Sequence, residues 1–346
     1  MSTVRGVLAL TMAVACAAYA EPPLSIEWST GPEMLQATAG GMTGIIGDDM
    51  IVAGGTFWHT PESKRVVKWT QVYDTSEGEW RMGPDLPAER AYAFSAVIGN
   101  RMYVMGGCGQ DMQPVADGLI LSPARGEGGL EYEWSPGPGL ALPANYMMGG
   151  AVGRTIYCTG GANADLSETY HAVYSLDTAE ADAQWQELAE MPGPPTTILA
   201  ATTCGGDLYA FGGYRVDRDP GENVDDAWKF DVSEGAWTRI RDLPFAGRAL
   251  TALAYDERHI MIFGPYVQSA REAAIHGQDH GHSGAVLLYD TERDRYEFLE
   301  PMPHSVVEIF FGLRGNTLYG AGGEWLYKIR SPFLLIGEVG PGAEEQ

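Results

Sequence analysis

An all-β fold, a six-bladed β-propeller with its ring closed by a strand near the N-terminus, is what the sequence predicts. A hairpin ending in paired glycines recurs six times, at spacings of 52, 54, 52, 52 and 58 residues. Apolar runs are short, bounded by turn residues, and carry no sustained helical period. A tryptophan strand absent after the last copy stands instead at Trp28, 52 residues before Trp80.

The clearest copy is Arg90 to Gly107. Ala91–Ile98 and Met102–Met105 are runs of strand length joined by Gly99-Asn100. Gly106-Gly107 ends the second strand where the backbone must turn without a side chain. Equivalent glycine positions are Gly54-Gly55, Gly160-Gly161, Gly212-Gly213, Gly264-Pro265 and Gly322-Gly323. A third strand ends near Asp in Val72-Tyr73-Asp74, Val173 to Asp177, Lys229-Phe230-Asp231 and Leu288-Tyr289-Asp290. A fourth carries Trp80, Trp134, Trp185 or Trp237, with Tyr296 or Phe298 in the fifth copy. Pro-containing turns such as Asp85-Leu86-Pro87 and Asp242-Leu243-Pro244 then lead to the next hairpin.

The sixth copy offers one strand after Gly323, Trp325 to Ile329, and no tryptophan strand beyond it. Ile26-Glu27-Trp28 matches Glu79-Trp80 and completes that blade, which removes two open sheet edges. The expected organisation is a signal peptide over 1–20, one propeller over 21–335 and an acidic tail over 336–346.

Arg5 before the apolar run Val7–Ala18, with Ala18-Tyr19-Ala20 as a cleavage site, predicts export to a secreted or periplasmic location. The run is too short to span a bilayer. Cys16 after Ala13-Val14-Ala15 is a poor lipidation site. Cys108, Cys158 and Cys204 are too few and too scattered for a disulfide framework or a C-x-x-C site. Cys158 and Cys204 read as small buried strand residues, and Cys108, directly after a Gly-Gly, as the exposed one. The formal charge of −24 argues against nucleic-acid or anionic-membrane partners. The acids are scattered, as on a solvated surface.

Loops alternate between the two faces of a propeller. Those after the glycines share a face with the Pro-containing connections, and this loop-rich face is the expected functional one. From the second glycine position to the Asp the loops span 19 residues in blade one, 16 in three, 18 in four and 25 in five. Blade six has almost none, which predicts a pocket with a tall rim over blade five and a low one over blade six. The blade-five loop holds Arg271, Glu272, His276, Asp279, His280 and His282. His276, His280 and His282 are imaginable zinc or copper ligands, but a Gly-rich segment without a scaffold favours a solvated loop, and no cofactor is expected. Arg90 and Arg248 stand at equivalent positions opening an inner strand, Arg215 and Arg218 lie in the blade-four loop, and Lys64 and Arg65 in the blade-one loop. Converging cations in so acidic a chain predict a site for a carboxylate-bearing ligand, with tying of adjacent loops the alternative for Arg90 and Arg248.

The recurring strand, Gly-Gly, Tyr-Asp, Trp order over residues 26 to 330 resembles the kelch motif, which implies a kelch β-propeller. Blade two departs from it with Leu119-Ile120-Leu121 where Tyr-Asp is usual. Blade count, export signal and the run Ser269-Ala270-Arg271-Glu272 resemble the exported N-acetylneuraminate mutarotase (epimerase) family. That family's Gly-Glu-x5-Arg loop is met here by Gly213-Tyr214-Arg215-Val216-Asp217-Arg218, without the Glu. The resemblance implies opening and reclosing of an acidic sugar's hemiketal, by Glu272 or Glu324 with Arg271 or Arg215. Arg90, Arg248 and Arg65 would hold the sugar acid. A non-catalytic carbohydrate- or protein-binding scaffold is the alternative. A copper radical oxidase would need a Cys–Tyr crosslink and a ligand set that Cys108 alone does not supply.

Overall fold

The computed structural model describes residues 23–126, 129–179, 183–218, 220–269 and 281–342. Over these it forms six antiparallel blades arranged around a channel, and the expected export signal (1–20) lies outside the described residues. Blade one is Met42–Ile46, Asp49–Ala53, Thr70–Asp74 and Glu79–Met82, from the channel outward. Blade two is Phe94–Ile98, Arg101–Met105, Gly118–Gly126 and Gly129–Gly137. Blade three is Asn145–Val152, Thr155–Ala162, Ala172–Asp177 and Gln186–Glu190. Blade four runs Ala200–Cys204, Asp207–Arg215, Glu222–Asp231 and Ala236–Arg239, and Thr196–Thr197 also pairs with its second strand. Blade five is Thr251–Ala254, His259–Phe263, Val286–Asp290 and Arg295–Phe298.

Blade six is Phe310–Arg314, Thr317–Ala321, Leu334–Pro341 and, from the other end of the chain, Leu24–Thr30. The predicted closure is therefore present, with Trp28 opposite Gly337. Two expectations for this blade need correction. Its third strand is not Trp325–Ile329 but Leu334–Pro341, so residues 336–341 belong to the sheet and not to a tail. Residues 324–330 instead form a small hairpin, Glu324–Leu326 against Ile329–Arg330, where almost no loop was expected.

The repeated residues each have a structural task. Asp74, Asp177, Asp231 and Asp290 accept backbone N–H bonds two residues on, at 2.8 to 3.1 Å, which turns strand three into strand four. The outer-strand aromatics latch each blade to the one before it. Trp80 Nε1 donates to the Pro32 carbonyl at 2.9 Å, Trp134 to Pro84 at 3.0 Å and Trp237 to Ala189 at 3.3 Å. Trp185 donates to Gly139, and Trp28 to Glu300 at 2.9 Å. Blade five lacks the indole, and Tyr296 makes the equivalent bond to Arg241 at 2.8 Å, whereas Phe298 is exposed. The paired glycines face the same seams. Gly55 N–H donates to Arg90 O at 2.7 Å, and a Cβ on Gly54 (φ +64°) would lie 2.2 Å from that carbonyl. No side chain fits there.

The core lies between blades. Ile51, Ala53 and Val72 of blade one pack with Met102, Val104 and Leu121 of blade two, and Phe263 of blade five stacks on Phe311 of blade six at 4.2 Å. Each such fully buried side chain contributes about 1.5–3 kcal/mol. All three described cysteines are buried and free, Cys108 included, contrary to its expected exposure. Burial pushes the Cys108 thiol up to about 11, so it is an inert packing residue against Tyr92 and Ala91.

Candidate functional site

The chain enters each inner strand from the loop-rich face through one residue in the left-handed region. These are Gly40, Tyr92, Tyr146, Ile198, Ala249 and Glu308, with φ between 54° and 64°. Left-handed φ costs about 1–3 kcal/mol for residues other than glycine, most for a β-branched one such as Ile198. Backbone bonds around the mouth hold the conformation in place. Tyr92 N–H donates to Gly40 O at 2.8 Å, Tyr146 to Tyr92 at 3.0 Å, Ala249 to Ile198 at 3.1 Å and Glu308 to Ala249 at 3.2 Å. The six residues line a pocket at the channel mouth, with Met148, Leu250 and Phe310 among its apolar walls.

Glu308 is the acidic member of that ring. Glu308 is among the residues that line the pocket, and its Oε2 is buried without a hydrogen-bond partner. Burial raises its pKa; Arg330 and Lys64 oppose the rise, and the nearby Glu324 adds to it. Lys64 donates to the Tyr92 hydroxyl from a position over that ring, and the Tyr92 and Tyr146 rings lie 4.8 Å apart. Behind Glu308, Glu324 forms an ion pair with Arg330, whose guanidinium also donates to Thr56 Oγ1 at 2.8 Å. Burial pushes the Glu324 carboxyl up, yet His282 and Arg330 hold it below the ordinary value. The two carboxyl groups are thus driven apart, one toward the acid and one toward the carboxylate. His282 stands with Nε2 3.6 Å from Glu324 Oε1, its side chain buried.

Next in sequence to Ala249 of that ring, Arg248 lies between two phenol rings, 4.6 Å from the centre of Tyr214 and 4.5 Å from that of Tyr266. Its Nη1 donates to Asn223 Oδ1 at 2.5 Å, and Asn223 is oriented by donating to Tyr266 O at 3.0 Å. Among the described residues no carboxylate forms an ion pair with Arg248. Burial lowers its pKa, and Tyr266, Tyr214 and Glu308 counter that loss. A cation held by aromatic faces and an amide keeps its charge available to an incoming anion.

Of the residues singled out in the sequence, Arg248 and Glu324 are in this cluster, as is His282. Arg90 is not. It is buried, forked onto Asp117 at 3.0 and 2.9 Å, and donates to Gly106 O at 2.7 Å, which ties the blade-two loop to its hairpin. Arg215 pairs with Asp217 at 2.5 Å and Glu222 at 3.8 Å on the rim. Arg65 is exposed on the hairpin Thr56–Thr60 with Ser63–Val66. Arg271, Glu272, His276 and His280 lie outside the described residues. Among the described residues no group of three metal-ligating side chains forms. Replacing Arg90 by Ala strands the Gly106 carbonyl and should lower stability by about 1–3 kcal/mol in urea titrations, with ligand affinity held.

Comparison with known proteins adds the following. Residues 138–280 match the family described as N-acetylneuraminate epimerase. The chain is 22% identical over 232 residues to the N-acetylneuraminate epimerase of Yersinia enterocolitica, covering 59% of this chain and 54% of that protein. It is 30% identical over 137 residues to a kelch domain-containing protein of Vibrio cholerae, covering 37% and 35%. It is 24% identical over 245 residues to an N-(sulfonatooxy)prop-2-enimidothioate sulfolyase of Thlaspi arvense, covering 65% and 68%. The chain spans about half the length, 54%, of the first of these relatives and 35% of the second. It is a six-bladed β-propeller related to kelch-repeat and N-acetylneuraminate epimerase sequences.

Proposed function

We propose that the channel mouth binds an acidic sugar of the sialic-acid type and interconverts its anomers, in the exported compartment that the leader sequence predicts. The observation that carries this reading is Arg248 beside Glu308. A cation without an ion-paired carboxylate among the described residues adjoins Ala249 of the ring that lines the pocket, and the same ring holds Glu308, whose pKa burial raises.

In this mechanism Arg248 pairs with the sugar carboxylate and fixes the ring over the mouth. Glu308 works as the neutral acid. Its proton passes to the ring oxygen as the bond from that oxygen to the anomeric carbon breaks, and the carboxylate so formed takes the anomeric hydroxyl proton. The open keto acid forms and Glu308 is again a carboxylic acid, so no proton is gained or lost. Rotation about the bond to the keto carbon and the reverse transfer give the other anomer. Glu324, ionised against Arg330, keeps the local field unfavourable to a second negative charge on Glu308.

The test is NMR exchange spectroscopy on N-acetylneuraminic acid. Anomer exchange faster than in buffer supports catalysis, and a rate equal to buffer removes it. Arg248→Lys keeps the charge but loses the planar stack between Tyr214 and Tyr266. It should raise KM about tenfold with a smaller change in kcat. A second reading is binding without turnover: the blade-four loop lacks the Glu of the Gly-Glu-x5-Arg pattern, although Gly323-Glu324 and Arg330 of blade six have that spacing. Saturable binding of the sugar at the buffer exchange rate would establish it.

A further inference from the structure

The pocket at the channel mouth is small. Its open space is about 40 Å³, room for a few waters, whereas the channel below holds a cavity of about 440 Å³. The two adjoin, with Gly41, Ala93, Met148 and Phe310 lining both. A sugar whose reacting carbon sits at Glu308 is larger than the mouth, and the channel is the adjoining space that can take the rest.

The wall of that cavity has a definite chemistry. Each inner strand pairs only with the second strand of its own blade, so its other edge leaves backbone N–H and C=O groups along the channel. Consecutive residues of all six inner strands line the cavity, Thr43-Gly44-Ile45 and Ala252-Leu253-Ala254 among them, as an edge rather than a face requires. None of its described lining residues is charged. Ser95 Oγ donates to Thr43 O at 3.2 Å and Thr251 Oγ1 to Ile309 O, which ties adjacent blades together at the channel. Such a wall offers donors and acceptors to an uncharged polar group and no counter-charge to an ion.

We infer that the channel is a subsite for the neutral end of the acidic sugar. The acylamino group and the polyol chain enter it, while the carboxylate and the anomeric centre stay at the mouth. The direction follows from the sugar itself. In the pyranose of N-acetylneuraminic acid the acylamino carbon lies across the ring from the anomeric carbon, which carries the carboxylate, and the polyol chain is on the next carbon. Arg248 precedes Ala249 and so stands on the loop-rich side of the mouth. A carboxylate held there turns the opposite end of the sugar inward. The anomeric hydroxyl remains free, as ring opening at Glu308 requires. The inference rests on the acid-sugar reading of the mouth, and its test separates the two.

Isothermal titration of the full chain with three compounds is the experiment: N-acetylneuraminic acid, its carboxyl methyl ester and 3-deoxy-D-arabino-heptulosonic acid. The last keeps the carboxylate, the ring and the anomeric hydroxyl but has no acylamino group and a shorter arm. N-acetylneuraminic acid should bind about tenfold tighter than this short analogue. Ala93→Leu, where mouth and channel adjoin, and Ala252→Leu, within the channel, should each remove most of that advantage and leave the short analogue's affinity unchanged, with melting temperatures near wild type. Equal affinity of wild type for the two acids overturns the subsite, as does an advantage that survives in both folded variants; faster anomer exchange than in buffer would then leave the acid-sugar reading standing. An ester that binds as tightly as the acid, and that Ala252→Leu weakens, keeps the subsite and removes the acid-sugar reading. No binding of any of the three removes both.

Discussion

Glu308→Gln is expected to lower the rate of anomer exchange at least 100-fold while changing sugar affinity little. The amide fills the same space at the channel mouth and can still meet a hydroxyl, but it has no acidic proton to pass to the ring oxygen. Positioned acid–base groups contribute about 10²–10⁴-fold, and here one group performs both transfers. Loss in kcat with little movement in KM marks an interaction made only as bonds break. An exchange rate in Glu308→Gln within a few-fold of wild type would sink the assignment.

The same residue sets a pH dependence in two observables. Its folded pKa is raised above the ordinary 4.5 by burial, so the neutral acid persists above that pH and the rate falls as pH rises through the folded value. Stability moves in the same direction. Below 4.5 the group is protonated in both folded and unfolded chains and burial costs nothing extra in charge. Above it the unfolded chain loses the proton first, and stability is lost until the folded pKa is passed. Denaturant midpoints followed upward from pH 4.5 should therefore fall less in Glu308→Gln than in wild type.

Most of the architecture was readable from sequence because every blade repeats the same local solution. The glycine pair meets a neighbouring carbonyl, the Asp turns the chain and the outer aromatic latches the seam. Blade six misleads because Trp325 to Ile329 has the composition of a strand, while the residues that complete the sheet, Leu334–Pro341, include two glycines and a proline. The site was legible only in part. Arg90 and Arg248 share one position in the repeat, and the difference lies in their neighbours: blade two supplies Asp117, whereas blade five's Arg meets Tyr214 and Tyr266. Such partners come from loops that the repeat does not align. Glu308 did carry a signal. It stands 14 residues before Gly322, as Gly40, Tyr92, Tyr146 and Ile198 stand 14 before the first glycine of their own blades, and a charge at that position is out of character.

Removing the closing strand should cost more than any change at the mouth. Leu24–Thr30 pairs with Leu334–Pro341 over seven residues, from Leu24 opposite Pro341 to Thr30 opposite Leu335. It also bridges to blade five, where Glu300 accepts from Ile26 N–H at 2.7 Å and from Trp28 Nε1 at 2.9 Å. Trp28 packs against Phe311 at 6.0 Å, and Ile26 is buried in the core between blades five and six. Trp28→Ala deletes the ring and its bond together and should destabilise by about 3–5 kcal/mol, whereas Trp28→Phe keeps most of the packing and should cost about 1 kcal/mol. A variant lacking residues 23–30 leaves the Leu334–Pro341 edge unpaired, which is a template for another chain. It should melt well below the full chain and elute as aggregate in size-exclusion chromatography, and a synthetic peptide of residues 23–32 added during refolding should restore the elution volume of the full chain by pairing with the vacant edge. A truncated variant that melts with the full chain would mean that blades five and six hold together without the strand, and that the ring is closed by their core alone.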